Sequence, residues 1–350
     1  HAIQISPSNP EPFINWGIAL ARVSSYHEAI TQFKSALALN KVQPNVYFLW
    51  GAVLAEMEDY SGAIEKFRIT LRYVPNHAEA TYFWSVALNR LGKYHEAIEA
   101  SRRALALNPD RAEIHMNLGD ALANLGRYDV AISNYKHALT LNPELNEAHK
   151  SWGIALVKSG EFAKGIEQFE QALAINPDMA GVHAHWGMAL VEEKQYAQAI
   201  EHLECAHEQD PEDTDVLLNW ALALIKLGSS DVALDKLFTV ESLEMWNPNA
   251  HYLLGTHYLE NEQYDEAVVH LKKAIDSMPD FEDAAINLAL AYCEAGHPKD
   301  AVRAIRPIAR KHPDNAKTYF FYGTILNRVG DTAEAIAKFQ KSVACNNHIF

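Results

Sequence analysis

Histidine is the residue of this chain that most strongly suggests chemistry. There are seventeen histidines, and four of them recur at one fixed interval or at twice that interval: His115, His149, His183 and His251. Neutral imidazole is the commonest metal ligand in proteins, and beside a serine or cysteine it acts as a general base. The regular spacing decides between these uses, because it fixes which histidines can meet in space.

The spacing comes from an internal 34-residue repeat that runs without insertion or deletion from residue 10 to residue 349. Such a period is typical of an array of one stacked supersecondary unit. The marker of each copy is a small residue at its twentieth position: Ala29, Ala63, Ala97, Ala131, Gly165, Ala199, Ala233, Ala267, Ala301 and Ala335. We predict that residues 1–9 end a truncated repeat and that ten units follow: 10–43, 44–77, 78–111, 112–145, 146–179, 180–213, 214–247, 248–281, 282–315 and 316–349.

One unit, residues 112–145, shows how each copy folds. Leu118 and Leu122 belong to a run of apolar residues with helical spacing, and Gly126 follows the run as a helix-ending residue. A second apolar run then stops at Pro143, which cannot continue a helix. We therefore predict two antiparallel helices of about 13 residues in each unit.

The units resemble the tetratricopeptide repeat, a family of 34-residue helix–turn–helix units. The resemblance rests on the small eighth residue Gly119, the seventeenth-position Tyr128, the alanines Ala131 and Ala138, and the closing Pro143, and it covers nearly the whole chain. It implies an all-α, right-handed superhelical solenoid of antiparallel helix pairs. The first helices are then expected to line a concave groove, and the second helices the convex back.

This arrangement argues against a metal site built from the spaced histidines. Equivalent residues of neighbouring units lie about 10 Å apart, whereas zinc needs its ligands within about 2.0–2.3 Å of one ion. The three cysteines occupy three different repeat positions, and no Cys-x-x-Cys, His-Glu-x-x-His or glycine-rich phosphate loop is present. We predict no metal, no cofactor, no catalytic residue and no enzyme, although a Ser/His/Asp arrangement assembled only by folding stays open.

Composition narrows the partner classes. Hydrophobic residues make up 49% of the chain, and the net charge of −15 opposes an electrostatic grip on nucleic acid. No run of eighteen apolar residues exists, so direct membrane insertion is not expected. The absence of a signal or transmembrane segment favours a cytoplasmic location, but the chain opens partway through a repeat and we expect its natural N-terminus to be missing.

The resemblance assigns the groove to positions two, five, six, nine, twelve and thirteen of each unit. The second position is acidic in six units: Glu11, Glu79, Glu113, Glu147, Asp215 and Asp283. The fifth and sixth positions supply the predicted binding residues: Asn15, Phe48, Tyr82, Phe83, Met116, Asn117, Asn219, Tyr252, Asn287 and Phe320. We predict a protein or peptide partner with apolar anchors and basic flanks.

Two known modes of the family set limits on this prediction. The sixth-position asparagines resemble the asparagine ladder of the O-linked N-acetylglucosamine transferase superhelix, here broken in six of ten units. The clamp for Hsp70 and Hsp90 C-terminal tails needs lysine at position five and asparagine at position nine of one unit. Lys150 is the only fifth-position lysine, and Ile154 stands at position nine of its unit, so we do not expect those tails to bind.

A second surface is predicted on the second helix of the ninth unit. Its basic residues are spaced four, three and four apart, which puts them on one helix face: Lys299, Arg303, Arg306 and Arg310. The stripe is either a solvated face or a dock for an acidic partner or a second copy. Pro307 within this helix is expected to kink or split it.

Three functions therefore remain open. The first is a protein–protein interaction scaffold that binds a peptide or helix of a partner in its groove. The second is the substrate-recruiting arm of a larger enzyme, such as a glycosyltransferase of the O-linked N-acetylglucosamine type. The third is a structural scaffold that self-assembles as a homo-oligomer.

Overall fold

The computed structural model describes residues 9–346, and its regular structure in that range is helical. The predicted truncated repeat at residues 1–9 therefore lies almost wholly outside the described residues. The helices are α1 (Glu11–Arg22), α2 (Tyr26–Leu39), α3 (Pro44–Glu56), α4 (Tyr60–Tyr73), α5 (Ala78–Arg90), α6 (Tyr94–Leu107), α7 (Ala112–Asn124), α8 (Tyr128–Leu141), α9 (Asn146–Lys158), α10 (Phe162–Ile175), α11 (Val182–Glu192), α12 (Tyr196–Gln209), α13 (Thr214–Lys226), α14 (Ser230–Leu243), α15 (Pro248–Glu260), α16 (Tyr264–Ser277), α17 (Glu282–Glu294), α18 (Pro298–Lys311), α19 (Ala316–Val329) and α20 (Thr332–Asn346). The even-numbered helices all begin at the same position of their repeats, which confirms the predicted all-α pairing of helices.

The chain divides into two compact parts, with the boundary between Val182 and His183. From here on these parts are called the first and the second unit, and each 34-residue copy is called a repeat. In the first unit, α1 to α9 each pack on the next helix along the chain, and the odd-numbered helices also touch the next odd-numbered one. In the second unit, α13, α15, α17 and α19 are related in the same way. Because the first helices of successive repeats meet, they form the inner face of each unit. The handedness of the superhelix stays a prediction.

Small residues let the two helices of a repeat cross closely. A Cβ atom added to Gly119 of α7 would lie 2.6 Å from Cε1 of Tyr135 in α8, and one added to Gly51 of α3 would lie 2.7 Å from Cε1 of Phe67 in α4. Both rings are almost completely buried. The eighth-position glycine therefore makes room for the ring sixteen positions later, which fixes how the helices of one repeat pack.

The first helix of every repeat ends at a residue with positive φ, in the left-handed region. Glycine takes this conformation at least strain, as at Gly126, where φ is 72°. The non-glycine residues at the equivalent position are Ser24, Glu58, Lys194 and Glu262. The chain therefore reverses at the same point of each copy, whichever residue stands there.

Pro307 does not split its helix, because α18 runs without interruption from Pro298 to Lys311. The proline removes the amide that would bond to the carbonyl of Arg303. Ile305, Ile308 and Ala309 on either side are buried in the core of the second unit, and this packing holds the helix together. The predicted splitting is therefore wrong. Among the described residues, no helix has both the length and the apolar character needed to cross a membrane.

Candidate functional site

A concave groove lies on the inner face of the first unit, where α5, α7 and α9 of three successive repeats stand side by side. It encloses about 720 Å³, which is within the range of ligand-binding pockets. We call it the inner groove. It is lined by Tyr82, Val86, Asn89, Arg90, Met116, Asn117, Asp120, Ala123, Asn124, Tyr135, Glu147, Lys150, Ser151, Ile154, Ala155 and Lys158.

The repeat explains why these side chains share one surface. On α5, Tyr82, Val86 and Asn89 follow one another at spacings of four and three residues, so they lie along one helix face. Met116 and Asp120 continue the same register on α7. These are the fifth, ninth and twelfth positions of the repeat, which belong to the set that the resemblance assigned to a groove.

A buried carboxyl group lies at the floor of the inner groove. The hydroxyl of Tyr135 donates a hydrogen bond of 2.9 Å to Oδ1 of Asp120, and Ser151 bonds to the same carboxyl group. Burial raises the pKa of Asp120, although these hydrogen bonds and the charge of Arg90 oppose the shift. Burial also raises the pKa of Tyr135, which keeps its hydroxyl protonated as a donor.

Asn117 takes part in the core and cannot serve as a free rung of an asparagine ladder. Its Nδ2 donates to the hydroxyls of Ser85 and Ser101 at 3.0 and 3.1 Å, and its Oδ1 accepts from Nδ2 of Asn89 at 3.1 Å. Both serines are completely buried. The repeat of residues 78–111 carries serine at the two positions where five other repeats pair glycine with an aromatic ring. Asn117 fills the polar space that results.

The other predicted asparagines also have internal partners, with one exception. Nδ2 of Asn219 donates to the carbonyl of Asp215 in its own helix at 2.8 Å, and Nδ2 of Asn287 donates to the hydroxyl of Thr256 at 3.0 Å. Asn15 on α1 is exposed. The amide donors of these asparagines are therefore largely engaged within the protein, which argues against backbone recognition by a continuous ladder.

The acidic rim expected from the sequence is mostly paired with cations. Arg111 bonds to Glu79 at 2.6 Å and to Glu113 at 3.3 Å, and Lys150 lies 2.7 Å from Glu147. In the second unit, Lys317 pairs with Asp283. The rim is therefore close to neutral at these places, which removes much of the reason for expecting basic flanks on the partner.

The opposite edge of the inner groove is cationic. Arg90 and Lys158 occupy the thirteenth position of α5 and α9, and both are exposed. Within the described residues, neither cation has a carboxylate oxygen within the 4.0 Å of an ion pair. Asn124 stands at the same position of α7, so one edge of the groove presents two exposed cationic side chains and an amide.

Two of the predicted aromatic residues lie outside the inner groove. Phe48 and Phe83 are half-buried, with ring centroids 5.9 Å apart, and Phe83 lies 6.3 Å from Phe67. They belong to the packing between repeats. Tyr82 does line the groove, and the guanidinium of Arg111 covers its ring at 4.2 Å.

The remaining predicted groove residues belong to the second unit. Tyr252 packs against Phe281 with a centroid distance of 4.7 Å. Phe320 is 52% exposed and contacts Phe321 and Phe339 at 5.5 and 5.9 Å. Tyr252, Asn287 and Phe320 stand on the first helices α15, α17 and α19, on the inner face of that unit.

The four residues of the basic stripe of α18 are exposed, and two of them have partners. Arg303 lies 3.0 Å from Asp300, and Nε of Arg306 donates to the hydroxyl of Tyr322 at 3.2 Å. Lys299 and Arg310 are exposed at its two ends. A dock for an acidic partner or a second copy stays a prediction.

The structure groups histidines in a way that the sequence analysis missed. His183 and His202 approach with their Nδ1 atoms 2.9 Å apart, and His251 and His270 do so at 3.1 Å. Glu241 of α14 lies near the second pair, with Oε1 3.9 Å from Nδ1 of His251. The two histidines of each pair are nineteen positions apart within one repeat. This spacing is visible in the sequence and differs from the 34-residue spacing between repeats.

In the cluster of Glu241, His251 and His270, a carboxylate lies near a histidine whose pKa is lowered. Burial lowers the pKa of His270, which keeps its imidazole neutral. Burial of Glu241 would raise its pKa, but the hydrogen bond and charge of Lys273 outweigh that and lower it, so the group is a carboxylate at neutral pH. Nε2 of the buried His251 lies 2.9 Å from the carbonyl oxygen of Met245.

Comparisons with known proteins agree with this architecture. The Drosophila melanogaster protein named Protein O-mannosyl-transferase Tmtc3 is 31% identical over 105 residues, which are 30% of this chain and 11% of that protein. The chain thus spans about a tenth of the length of the curated relatives it matches. Two solved structures share the fold. Pseudomonas aeruginosa pilF is 21% identical, with a TM-score of 0.53 over 59% of this chain and 94% of that one. A human IFIT1 dimer with PPP-AAAA is 17% identical, with a TM-score of 0.54 over 94% of this chain and 81% of that one.

Family models, both described as tetratricopeptide repeat, match consecutive parts of the sequence. One matches residues 48–102, 84–146 and 151–213, and the other matches residues 190–254 and 258–319. Because these matches follow one another along most of the chain, the protein belongs to the tetratricopeptide repeat family.

Proposed function

We propose that this chain is a protein-interaction scaffold that holds a peptide or a helix of a partner protein in the inner groove. Membership of a repeat family whose members generally bind proteins supports the general role. The observation that carries the specific proposal is the concavity of about 720 Å³ between three successive first helices. Its lining comes from these three helices and from Tyr135 of α8.

The lining of the groove suits an apolar anchor of the partner. Val86, Met116 and Ile154 are partly buried and stand on α5, α7 and α9, so aliphatic or aromatic side chains spaced along a bound segment would each meet an apolar residue of the groove. Burying such a side chain contributes about 1.5–3 kcal/mol. Hydrogen-bonding groups surround these residues and would fix the orientation of the bound segment.

The charge of the groove adds a preference at one edge. Arg90 and Lys158 have no ion-pair partner among the described residues, whereas Glu147 pairs with Lys150, and Glu79 and Glu113 share Arg111, which leaves one net negative charge on these three carboxylates. A carboxylate of the partner would therefore be favoured beside Arg90 and Lys158. We confine the proposal to an apolar anchor with an acidic neighbour, and we do not extend it to the basic flanks expected from the sequence.

Affinity measurements on a matched pair of variants test the proposal. Peptides are selected from a random library with the wild-type chain, and their affinities are then measured for Ile154→Asp and for Val130→Asp. Ile154 lines the groove, whereas Val130 is 43% exposed on the second helix α8. We expect Ile154→Asp to weaken binding by about tenfold or more, which is about 1.4 kcal/mol, and Val130→Asp to have little effect. Equal effects of the two variants would refute binding in the groove.

A second candidate function is that these repeats recruit substrates for a larger glycosyltransferase. The observation that favours it is the printed name of the relatives at 30–31% identity, which are protein O-mannosyl-transferases much longer than this chain. The reading frame that encodes this chain decides the point. A transferase domain in the same frame would support recruitment, and a frame without one would leave the scaffold as the function.

A further inference from the structure

We propose that Glu241, His251 and His270 bind one divalent transition-metal ion of the zinc class. These residues come from three consecutive helices, α14, α15 and α16, and lie in the second unit. One ligand atom of each lies within 4.8 Å of the other two. The site is separate from the inner groove and goes beyond the proposed function, since it needs no partner protein.

The distances fit an ion held at normal bond lengths. Zinc binds histidine nitrogen at about 2.0–2.1 Å and carboxylate oxygen at about 2.0–2.2 Å, which separates tetrahedral ligands by about 3.4 Å. The two Nδ1 atoms are 3.1 Å apart, and Nδ1 of His251 lies 3.9 Å from Oε1 of Glu241. These two separations bracket the required one, and the ligand atoms of Glu241 and His270 lie within 4.8 Å of each other.

The protonation of His251 places a lone pair where a metal would need it. Its Nε2 lies 2.9 Å from the carbonyl oxygen of Met245, and a carbonyl can only accept, so Nε2 carries the proton. The lone pair of that tautomer is then on Nδ1, which faces His270. An imidazole oriented by a backbone carbonyl through its other nitrogen is the arrangement found around metal-ligating histidines.

The ring of His270 is also held in place. It stacks on Tyr258 at a centroid distance of 5.4 Å, and its Nδ1 lies 3.1 Å from Nδ1 of His251. Without a metal, one proton must lie between the two Nδ1 atoms. Metal binding transfers that proton to solvent or to the outer nitrogen of His270. Two imidazoles and a carboxylate form a donor set that suits zinc, with the fourth tetrahedral position taken by water.

Lys273 is the group that opposes the metal. Its Nζ lies 3.0 Å from the same Oε1 of Glu241, so its charge competes with a cation for that oxygen. The side chain of Lys273 is 35% exposed, which leaves the ammonium a path into solvent. Removal of Lys273 should therefore strengthen metal binding. A cluster with only a structural role would show no such gain in metal affinity.

The chain contains its own matched control. His183 and His202 occupy the same two repeat positions as His251 and His270, with Nδ1 atoms 2.9 Å apart. The residue at the repeat position of Glu241 is Leu173 there, so that pair lacks the carboxylate. Another repeat carries glutamine at the repeat position of His270. There, Nδ1 of His149 lies 3.0 Å from Oε1 of Gln168. His270→Gln should therefore preserve the fold.

The test is zinc titration of the untagged, chelator-treated chain in competition with a chromophoric indicator. We expect one zinc ion per wild-type chain, with an affinity at least tenfold lower in Glu241→Gln and in His270→Gln, unchanged in His202→Gln and higher in Lys273→Gln. Circular dichroism checks that each variant is folded, and Glu241→Gln carries the test if His270→Gln is not.

Four results would overturn the site. These are no zinc uptake by the wild-type chain, equal affinity in His270→Gln, an equal loss in His202→Gln, and no gain in Lys273→Gln. The third would place the ion at the other histidine pair, and the fourth would remove Glu241 from the ligand set.

Discussion

At the scale of single residues, hydrogen bonding decides which side chains of the inner groove can meet a partner. Asn117 has both amide hydrogens bonded to buried serine hydroxyls, so it stabilises the packing between repeats. Val86, Met116 and Ile154 have no polar group to satisfy and remain partly accessible. Binding energy is therefore expected from the apolar residues of the groove more than from its asparagines.

Asn117→Ala should destabilise the first unit, because it leaves the buried hydroxyls of Ser85 and Ser101 without one partner. The expected cost is about 1–3 kcal/mol. Asn219→Ala is the control, since Asn219 is half-buried and bonds only to its own helix, and it should cost less than about 0.5 kcal/mol. Urea unfolding measures both, and similar costs would mean that the Asn117 network contributes nothing.

Asp120→Asn should stabilise the chain at neutral pH. Burial raises the folded-state pKa of Asp120, so the unfolded chain ionises first as pH rises and the fold loses stability through that interval. Asparagine keeps an acceptor for the hydroxyl of Tyr135 and has no charge to bury. Thermal unfolding should show a higher Tm for the variant at pH 7 and a smaller difference at pH 4.5. A lower Tm at pH 7 would contradict the sign of the shift.

At the scale of helices, local rules explain the boundaries, and packing explains the exceptions. The left-handed residue after each first helix and the small residue at each crossing could both be foreseen from the repeat. The continuity of α18 through Pro307 could not, because it depends on Ile305, Ile308 and Ala309 being buried against neighbouring helices. Propensity predicts a break there, and tertiary contacts override it.

Pro307→Ala should stabilise α18, because it restores the amide that can bond to the carbonyl of Arg303. The gain should reach at most about 3 kcal/mol, the difference between proline and alanine inside a helix. Pro298→Ala is the matched control, since Pro298 stands at the start of the same helix, where proline costs little. Hydrogen exchange of the α18 amides measures the gain. Slower exchange in the Pro298 variant alone would contradict this account.

At the scale of the whole molecule, function depends on residues that different repeats bring together. The sequence indicated the repeat positions of the groove, but the charge of the acidic rim follows from ion pairs between repeats, such as that of Lys317 with Asp283 of the preceding repeat. The cluster of Glu241, His251 and His270 likewise joins neighbouring repeats. Such contacts depend on how each pair of copies stacks, and a pattern within one copy does not contain that information.

An array of this kind also unfolds differently from a single-core domain. Each repeat contacts mainly its neighbours, so stability is close to a sum of repeat and interface terms. Variants in the first unit therefore report on the first unit, and local exchange measurements are more informative than a single transition. The same property lets the inner groove and the histidine cluster be tested separately in one chain.

Site-specific photo-cross-linking tests the central claim most directly. A photoreactive amino acid is placed at Met116 in the inner groove or at Val130 on the outer helix α8, and the cross-linked segments of partner proteins are identified by mass spectrometry. We predict that the Met116 probe captures one defined segment, with an apolar residue beside an acidic one, and that the Val130 probe does not. Capture of that segment from Val130 and not from Met116 would contradict the inner groove as the binding site.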